Sequence, residues 1–486
     1  MTDASASGTD TRDGHCVAPR RAGGAVGVTD AAQGPFPDAD YLILSSRLIP
    51  DLDGGYTIAT LARAGQMAER GARVQLLTVD PADAEAHAAH RAEFAARGAL
   101  RPDTPLRNLF DEAVAPDGGA AEWVRAAAAS APTPGAQADE HRVLTDAAGR
   151  PFVSLPVIRG NPDWHLSTAA VRVHGPEGDA IGELPGFGAL YRAWLEHVVA
   201  RLTGPVVVVC ESRQLGELLA GWGSERVRLL HTIHTIHLEP PFTPDAPLNP
   251  LWTRWFAIAD RFDAVLWPTR AQRDDVVARF DGSGRHLVVP NGVPMPDAAA
   301  DDAAREAGLV VSLSRLAPGK RIDHGIRAFL AADVPGAVLE IWGDGPERER
   351  LEGLIRERSA ADRVRLMGAT TDPDAVLRRA SVLLSSSAFE GQGLSIVEAL
   401  RVGCPVIAYD IRYGPGDILR DGGGVLVPDG DERALAEALH AVLTDAGLRA
   451  RLSGEARPAA SAWSADAAMT ALAAAVRAAL SAPPRR

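Results

Sequence analysis

Ala380-Ser381-Val382-Leu383-Leu384-Ser385-Ser386-Ser387-Ala388-Phe389-Glu390-Gly391-Gln392-Gly393-Leu394-Ser395-Ile396-Val397-Glu398 runs from an apolar segment through a glycine loop into a helical pattern. The apolar run reads as a buried strand ending at Ser385, and Gly391 and Gly393 let the chain turn. A helix is predicted from about Leu394, with Glu398 on its first turn. Strand, glycine loop and helix in this order form the unit of a doubly wound α/β fold. The helix N-terminus then aims N–H groups at whatever lies above the strand's C-terminal end, which favours an anion such as phosphate. Glu390 and Glu398 flank that place; carboxylates repel phosphate and suit hydroxyl groups, so the implied ligand is a sugar nucleotide.

Comparable units lie on both sides. Residues 309–313, 338–342, 364–367, 382–384, 406–409 and 424–427 read as strands, most of them followed by helical patterns. Upstream, 41–44, 74–79, 205–210, 227–230, 263–267 and 286–289 read the same way, and the turn-rich segment 290–296 reads as a linker. Between the two early strands and the later four, residues 82–190 break the rhythm. Helical stretches at 82–97 and 120–131 give way to short strands at 142–145, 151–158 and 169–174 with no helices between them, which predicts an inserted antiparallel sheet. The expected fold is therefore α/β, with two Rossmann-like doubly wound domains facing a cleft and an antiparallel β module inserted in the first. The expected boundaries are a disordered leader at 1–39, a first domain at 40–296 with its insert at 82–190, a second domain at 297–463, and a C-terminal helix and tail at 464–486.

Composition agrees. A chain of 486 residues, 46% hydrophobic and 23% charged, has material for two or three cores. A net charge of −13 argues against a general nucleic-acid binder. Cys16, Cys210 and Cys404 are scattered and odd in number, so neither a disulfide framework nor a zinc spacing is expected. The N-terminus lacks the apolar core of a signal peptide, and no run is apolar and long enough to span a membrane. Cytoplasmic location is the default expectation, with peripheral membrane association left open.

Arg315 and Lys320 follow the first strand of the second domain and face the same cleft as the glycine loop, where two cations would neutralise a departing diphosphate. Gly54 and Gly55 form a glycine pair in the first strand–helix turn; this is no G-x-G-x-x-G fingerprint, and NAD binding gains no support. His231, His234 and His237 follow another strand at a spacing of three, and one of them is expected to face the nucleotide across the cleft. Met367-Gly368 closes a strand where backbone can read a flat base. Asp51-Leu52-Asp53, Asp372-Pro373-Asp374 and Asp429-Gly430-Asp431 stand in turn contexts, and with Arg315 and Lys320 present no metal is expected.

Glu390 to Glu398, with Arg315 and Lys320 upstream, resembles the E-x7-E signature of retaining glycosyltransferase family 4, whose fold is GT-B. Ser314-Arg315…Lys320-Arg321-Ile322-Asp323 and Asp410-Ile411-Arg412-Tyr413-Gly414-Pro415 bring the likeness nearest to bacterial teichoic-acid, or poly(glycerol-phosphate), α-glucosyltransferases, which also carry an inserted β-sheet module. The resemblance implies that Arg315 and Lys320 bind the diphosphate of a UDP-sugar with the amides of Leu394 and Ser395. Glu390 would hold donor-sugar hydroxyls and Glu398 the ribose, with Gly54, Gly55, Gly391, Gln392, Gly393 and Gly368 also on the donor side. His234 and His237 both fit the histidine position. The reaction implied is metal-independent transfer, with retention, of a hexose or N-acetylhexosamine from a UDP-sugar to a polyol-phosphate hydroxyl, without a cofactor. A protein Ser/Thr, lipid or small-molecule acceptor, a non-catalytic sugar-nucleotide-binding subunit and a sugar-nucleotide epimerase are the alternatives. Self-association through the insert is a further expectation.

Overall fold

A computed structural model describes residues 36–52, 54–114, 120–129, 136–146, 148–280, 285–297 and 305–486. The leader expected at 1–39 lies outside the described residues up to 35, while 36–39 are placed, with the Phe36 ring edge-on to Tyr41 at 5.6 Å.

The apolar runs become parallel strands. β1 (Asp40–Ser45), β2 (Arg73–Thr78) and β3 (Leu106–Asn108) open the first domain. β4 (His141–Thr145), β5 (Pro151–Pro156), β6 (Val171–His174) and β7 (Ala180–Leu184) then form an antiparallel sheet of four strands in sequence order. β8 (Val206–Cys210), β9 (Val227–Thr232), β10 (Ala264–Trp267) and β11 (His286–Val288) return to the parallel sheet, whose seven-stranded order is β11-β10-β9-β8-β1-β2-β3. In the second domain β12 (Leu309–Leu313), β13 (Val338–Trp342), β14 (Val364–Gly368), β15 (Val382–Ser385), β16 (Val406–Asp410) and β17 (Gly424–Pro428) build a six-stranded parallel sheet of order β14-β13-β12-β15-β16-β17. Central strands such as β8 are buried at every residue, as strands covered by helices on both faces must be.

Two differences from the sequence reading matter. The segment 82–190 is not one insertion: β3, reached from β2 through the helix Ala84–Ala96, extends the parallel sheet, and the antiparallel sheet spans His141 to Leu184. β3 has only three residues and β7 carries Gly182 at its centre, so neither shows an alternation to read. The helix Ala465–Leu480 follows the second domain in sequence but packs on the first. Met469, Leu472 and Val476 join Tyr41, Ile43, Leu61, Met67, Val207 and Leu230 in one buried cluster.

Both sheets reverse direction of growth at their centres, between β1 and β8 in the first and between β12 and β15 in the second. Crevices at the C-terminal ends of such strand pairs are where doubly wound folds bind ligands. Residues 34–486 form one compact unit, in which the Ala271 N–H donates to Asp417 Oδ2 at 2.8 Å and Phe242 packs on Phe389 at 5.2 Å across the two domains. Among the described residues no helix is long and apolar enough to cross a membrane.

Candidate functional site

The second-domain crevice contains the acidic glycine loop. Gly393 caps the helix Leu394–Arg401 at φ 94°, a left-handed conformation that an L side chain rarely adopts. The N–H groups of Leu394 and Ser395 have no hydrogen-bond acceptor among the described residues, as at the start of any helix without a side-chain cap. Lys320 Nζ donates to Glu390 Oε1 at 2.6 Å, and Ser387 Oγ donates to the same oxygen at 2.7 Å. The lysine and the glutamate, read as separate contacts to phosphate and sugar, are thus partners of each other before any ligand arrives. Ser314, Lys320, Glu390 and Ser395 wall one narrow recess. Glu398 lies on the second turn of the helix, not the first, because the helix begins at Leu394 itself. It is half-buried, and burial pushes its carboxyl up, with Asp374 adding and Arg401 opposing.

The first-domain crevice faces it. Glu211 directly follows β8 and is fully buried, with Oε1 2.9 Å from Arg63 Nε and Oε2 2.5 Å from His234 Nε2. Burial alone would raise its carboxyl, but the Arg63 charge and the His234 hydrogen bond hold it below the usual range. The His234 ring also meets Tyr56 edge-on at 4.9 Å, and Tyr56 is hydrogen-bonded to Ser45 at 2.7 Å. Tyr56, Glu211, Arg213, His234 and, from the second domain, Arg315 line one cavity of about 330 Å³. Ser314 and Arg315 are consecutive, so the two crevices meet at this point of the chain.

Gly391 is needed where the domains touch: a Cβ on it would fall 2.2 Å from the His234 carbonyl oxygen. Gly54 precedes the helix Gly55–Glu69 as its cap, and a Cβ on Gly55 would lie 3.7 Å from Leu394 Cδ1, so the first glycine pair does border the second domain's helix start. Gln392 is placed differently from a donor contact. Its side chain is buried and exchanges two hydrogen bonds with the Asn291 backbone, at 2.7 and 3.0 Å, while Arg63 donates to Asn291 Oδ1 at 2.9 Å. The linker thus ties the glycine loop to the Arg63–Glu211–His234 group.

Two expected residues, His237 and Gly368, are not brought together with these, and His231 only borders them. His237 is 1% exposed, stacked on Tyr413 at 5.9 Å and edge-on to Phe256 and Trp267, and burial pushes its imidazole down to about 4. The segment after β9 is irregular, so the spacing of three does not place His234 and His237 on one face, and only His234 reaches the cavity. His231 borders the same cavity but is buried against Trp255 and Phe262, its imidazole pushed down to about 3 by burial. Gly368 ends β14 at the sheet edge, accepting from the Gly343 N–H at 2.7 Å, and lines neither recess.

The aspartate pairs have structural partners. Asp372 and Asp431 cap helices, Asp51 and Asp429 pair with Arg97 and Arg321, and Asp374 pairs with Arg401; Asp53 lies outside the described residues. Arg63, Tyr56, Glu211 and Asn291 were not expected at the site. A charged residue at the end of the wholly apolar β8, and Arg63 on the buried face of its helix, were the available signals.

Comparison with known proteins bears on the fold and the family. Residues 299–458 match the family of glycosyl transferases group 1. The poly(glycerol-phosphate) alpha-glucosyltransferase of Bacillus subtilis (strain 168) is 31% identical over 198 residues, 40% of this chain and 29% of the relative. The poly(ribitol-phosphate) alpha-N-acetylglucosaminyltransferase of Staphylococcus aureus (strain COL) is 31% identical over 202 residues, 41% of this chain and 40% of the relative. The aligned part of the chain spans less than half the length of these curated relatives. A variant of S. aureus TarM, solved with Fondaparinux, alpha-GlcNAc-glycerol and UDP, superposes with a TM-score of 0.71 at 17% identity, over 90% of this chain and 99% of that one. The fold is GT-B, and the likeness to group 1 glycosyltransferases read from the E-x7-E stretch holds.

Proposed function

We propose that the chain is a retaining, metal-independent glycosyltransferase that moves a hexose or N-acetylhexosamine from a UDP-sugar to a hydroxyl of a polyol-phosphate acceptor. The observation that carries this reading is the Lys320–Glu390 pair beside the N–H groups of Leu394 and Ser395, with His234 across the cleft in a cavity that Arg315 also lines. Lys320, Arg315 and the helix start would hold the diphosphate and stabilise its charge as the sugar leaves. A diphosphate that draws Lys320 away would release Glu390 Oε1 to accept hydroxyl hydrogen bonds from the donor sugar. His234, fixed by Glu211, would bind the sugar or its phosphate from the other side, and the half-buried Glu398 carboxyl would meet the ribose.

Retention follows when the acceptor oxygen attacks from the face that the diphosphate leaves. The acceptor proton then passes to the departing phosphate oxygen, the C1–O–P bond breaks and a new C1–O bond forms on the same face. Orientation and leaving-group charge are the main terms in such a step. The names of the similar proteins support a polyol-phosphate acceptor.

The test is incubation with UDP-glucose or UDP-N-acetylglucosamine and a poly(glycerol phosphate), reading UDP release and the anomeric configuration of the product. Lys320→Ala and Glu390→Ala are each expected to lower turnover by about 10²- to 10³-fold, the cost of losing one group that acts on the transition state. Unchanged turnover in both variants would remove the assignment.

A further inference from the structure

The main chain around Glu390 is contacted from the first domain on every side that bears on its position. Phe389, before it, meets the Phe242 ring at 5.2 Å. Gly391, after it, abuts the His234 carbonyl oxygen. Tyr413, whose N–H donates to the Glu390 carbonyl at 3.4 Å, stacks on His237. Phe242, His234 and His237 all belong to the irregular segment between β9 and the helix Pro250–Phe256. One stretch of the first domain therefore touches the residue before Glu390, the residue after it and the residue bonded to its carbonyl.

That stretch contains a loop closed at its base. Leu238 and Leu248 pair as an antiparallel bridge, the Glu239 N–H donates to the Pro247 carbonyl at 2.9 Å, and Arg279 Nη1 donates to the Ala246 carbonyl at 2.6 Å. A compact loop with its ends held together keeps its side chains in place. Phe242 stands on this loop at φ 62°, an uncommon conformation for a bulky residue and one that persists where neighbours fix it. Its ring joins Ile236, Leu238, Ala246, Tyr413 and Phe389 in an apolar cluster that both domains share.

Phe389 carries the contact on to both members of the charged pair. It packs on Gly319, the residue before Lys320, so closely that a Cβ there would fall 3.0 Å from Phe389 Cε1 and Cζ. The Ala388 N–H also donates to the Gly319 carbonyl at 2.8 Å. The ring thus touches the neighbour of Lys320 and is itself the neighbour of Glu390, whose side chains meet at 2.6 Å.

We propose that Phe242 is a positioning residue for the Lys320–Glu390 pair: by holding Phe389 across the domain boundary, it fixes the loop that carries the donor-side charges. The proposal rests on the transferase reading above and adds control of the donor geometry from the first domain. Aromatic pairs prefer particular relative orientations, and a misplacement of about 1 Å at reacting groups is worth about 10²-fold in rate.

The test uses UDP-glucose or UDP-N-acetylglucosamine with a short poly(glycerol phosphate). Phe242→Ala is expected to lower kcat about 10- to 10²-fold with KM for the acceptor unchanged, and Phe242→Leu to recover part of the loss. Phe242 is half-buried on a loop, so the urea midpoint should stay in place. In a Phe389→Ala background, Phe242→Ala should cost little more, because the two rings act through one contact. An unchanged kcat, a raised acceptor KM with kcat intact, or a kcat loss that matches a fall in the midpoint each overturns the proposal and leaves the transferase reading standing. Hydrogen exchange reads the positioning without turnover: Phe242→Ala should speed exchange of the Ala388 and Tyr413 N–H groups about tenfold and leave β12 as it was. That acceleration in a protein that transfers sugar to no acceptor refutes the transferase reading and keeps Phe242 as the residue that holds the loop.

Discussion

At the scale of residues, the site depends on charges that the interior tolerates only in combination. Arg63 is 2% exposed and the Glu211 side chain is fully buried, and their 2.9 Å contact is close without hydrogen-bond alignment. The pair is held by charge, with direction supplied by His234 on one side and Asn291 on the other. A buried pair adds little net stability, but removing one member strands the other and costs about 3–5 kcal/mol. Arg63→Ala should therefore lower the urea midpoint by an amount in that range and lower turnover with it. Adding Glu211→Gln should restore much of the stability and none of the turnover, because His234 then lacks the carboxylate that orients it. A loss under about 1 kcal/mol in Arg63→Ala would show that Glu211 is not held as an anion there.

At the scale of elements, the helix Ala465–Leu480 joins the two ends of the fold. Val293 and Ser464 pair as a short bridge, and the helix then crosses to the outside of the first sheet. Its alanine-rich face lets it come close to the linker: a Cβ on Gly292 would fall 2.7 Å from Ala468 Cβ. Leu472 is 0% exposed in the cluster that includes Leu61 and Met67, so Leu472→Ala should cost about 2–5 kcal/mol, read from the urea midpoint. A cost below about 1 kcal/mol would mean that the helix does not complete that core. The sequence analysis expected a helix here, but an apolar face does not name its partner. The same limit explains the site. Strand ends and turns put Arg315, Lys320, Glu390 and His234 in the cleft, because the C-terminal ends of parallel strands share one side of a sheet. The Lys320–Glu390 contact, the inward turn of His237 and the partner of Glu211 depend on loop paths and on contacts between residues as far apart as Arg63 and Asn291. No local pattern carries those.

At the scale of the whole molecule, protonation acts unevenly. His165, His231 and His237 are buried and pushed down to about 4, 3 and 4, chiefly by burial, while His87 is raised to about 9 by Asp111 and Asp80 against its burial. All four belong to the first domain. The three lowered histidines bind protons more readily in the unfolded chain, whose histidines titrate near 6.5. Their contribution is intact above that value and is lost as pH falls from about 6.5 towards 4. His87 has the opposite sign: its contribution is complete below about 6.5 and is lost as pH rises from there to about 9. Each proton is worth about 1.4 kcal/mol per pH unit, and with His197, His286 and His324 also lowered by burial the acid limb is steeper than the alkaline one, to which His87 alone contributes among the histidines with a shift. Urea unfolding between pH 4 and 9.5 should therefore give greatest stability near neutrality with unequal slopes. His87→Gln should flatten the alkaline limb and leave the acid limb's slope, because the exposed chain then has no extra proton to release there. An alkaline slope that survives His87→Gln would place its origin elsewhere. Because the large histidine shifts sit in the first domain, hydrogen exchange at pH 5 should open β8 and β9 before β12 and β15, loosening the first-domain side of the cleft before the Lys320–Glu390 side.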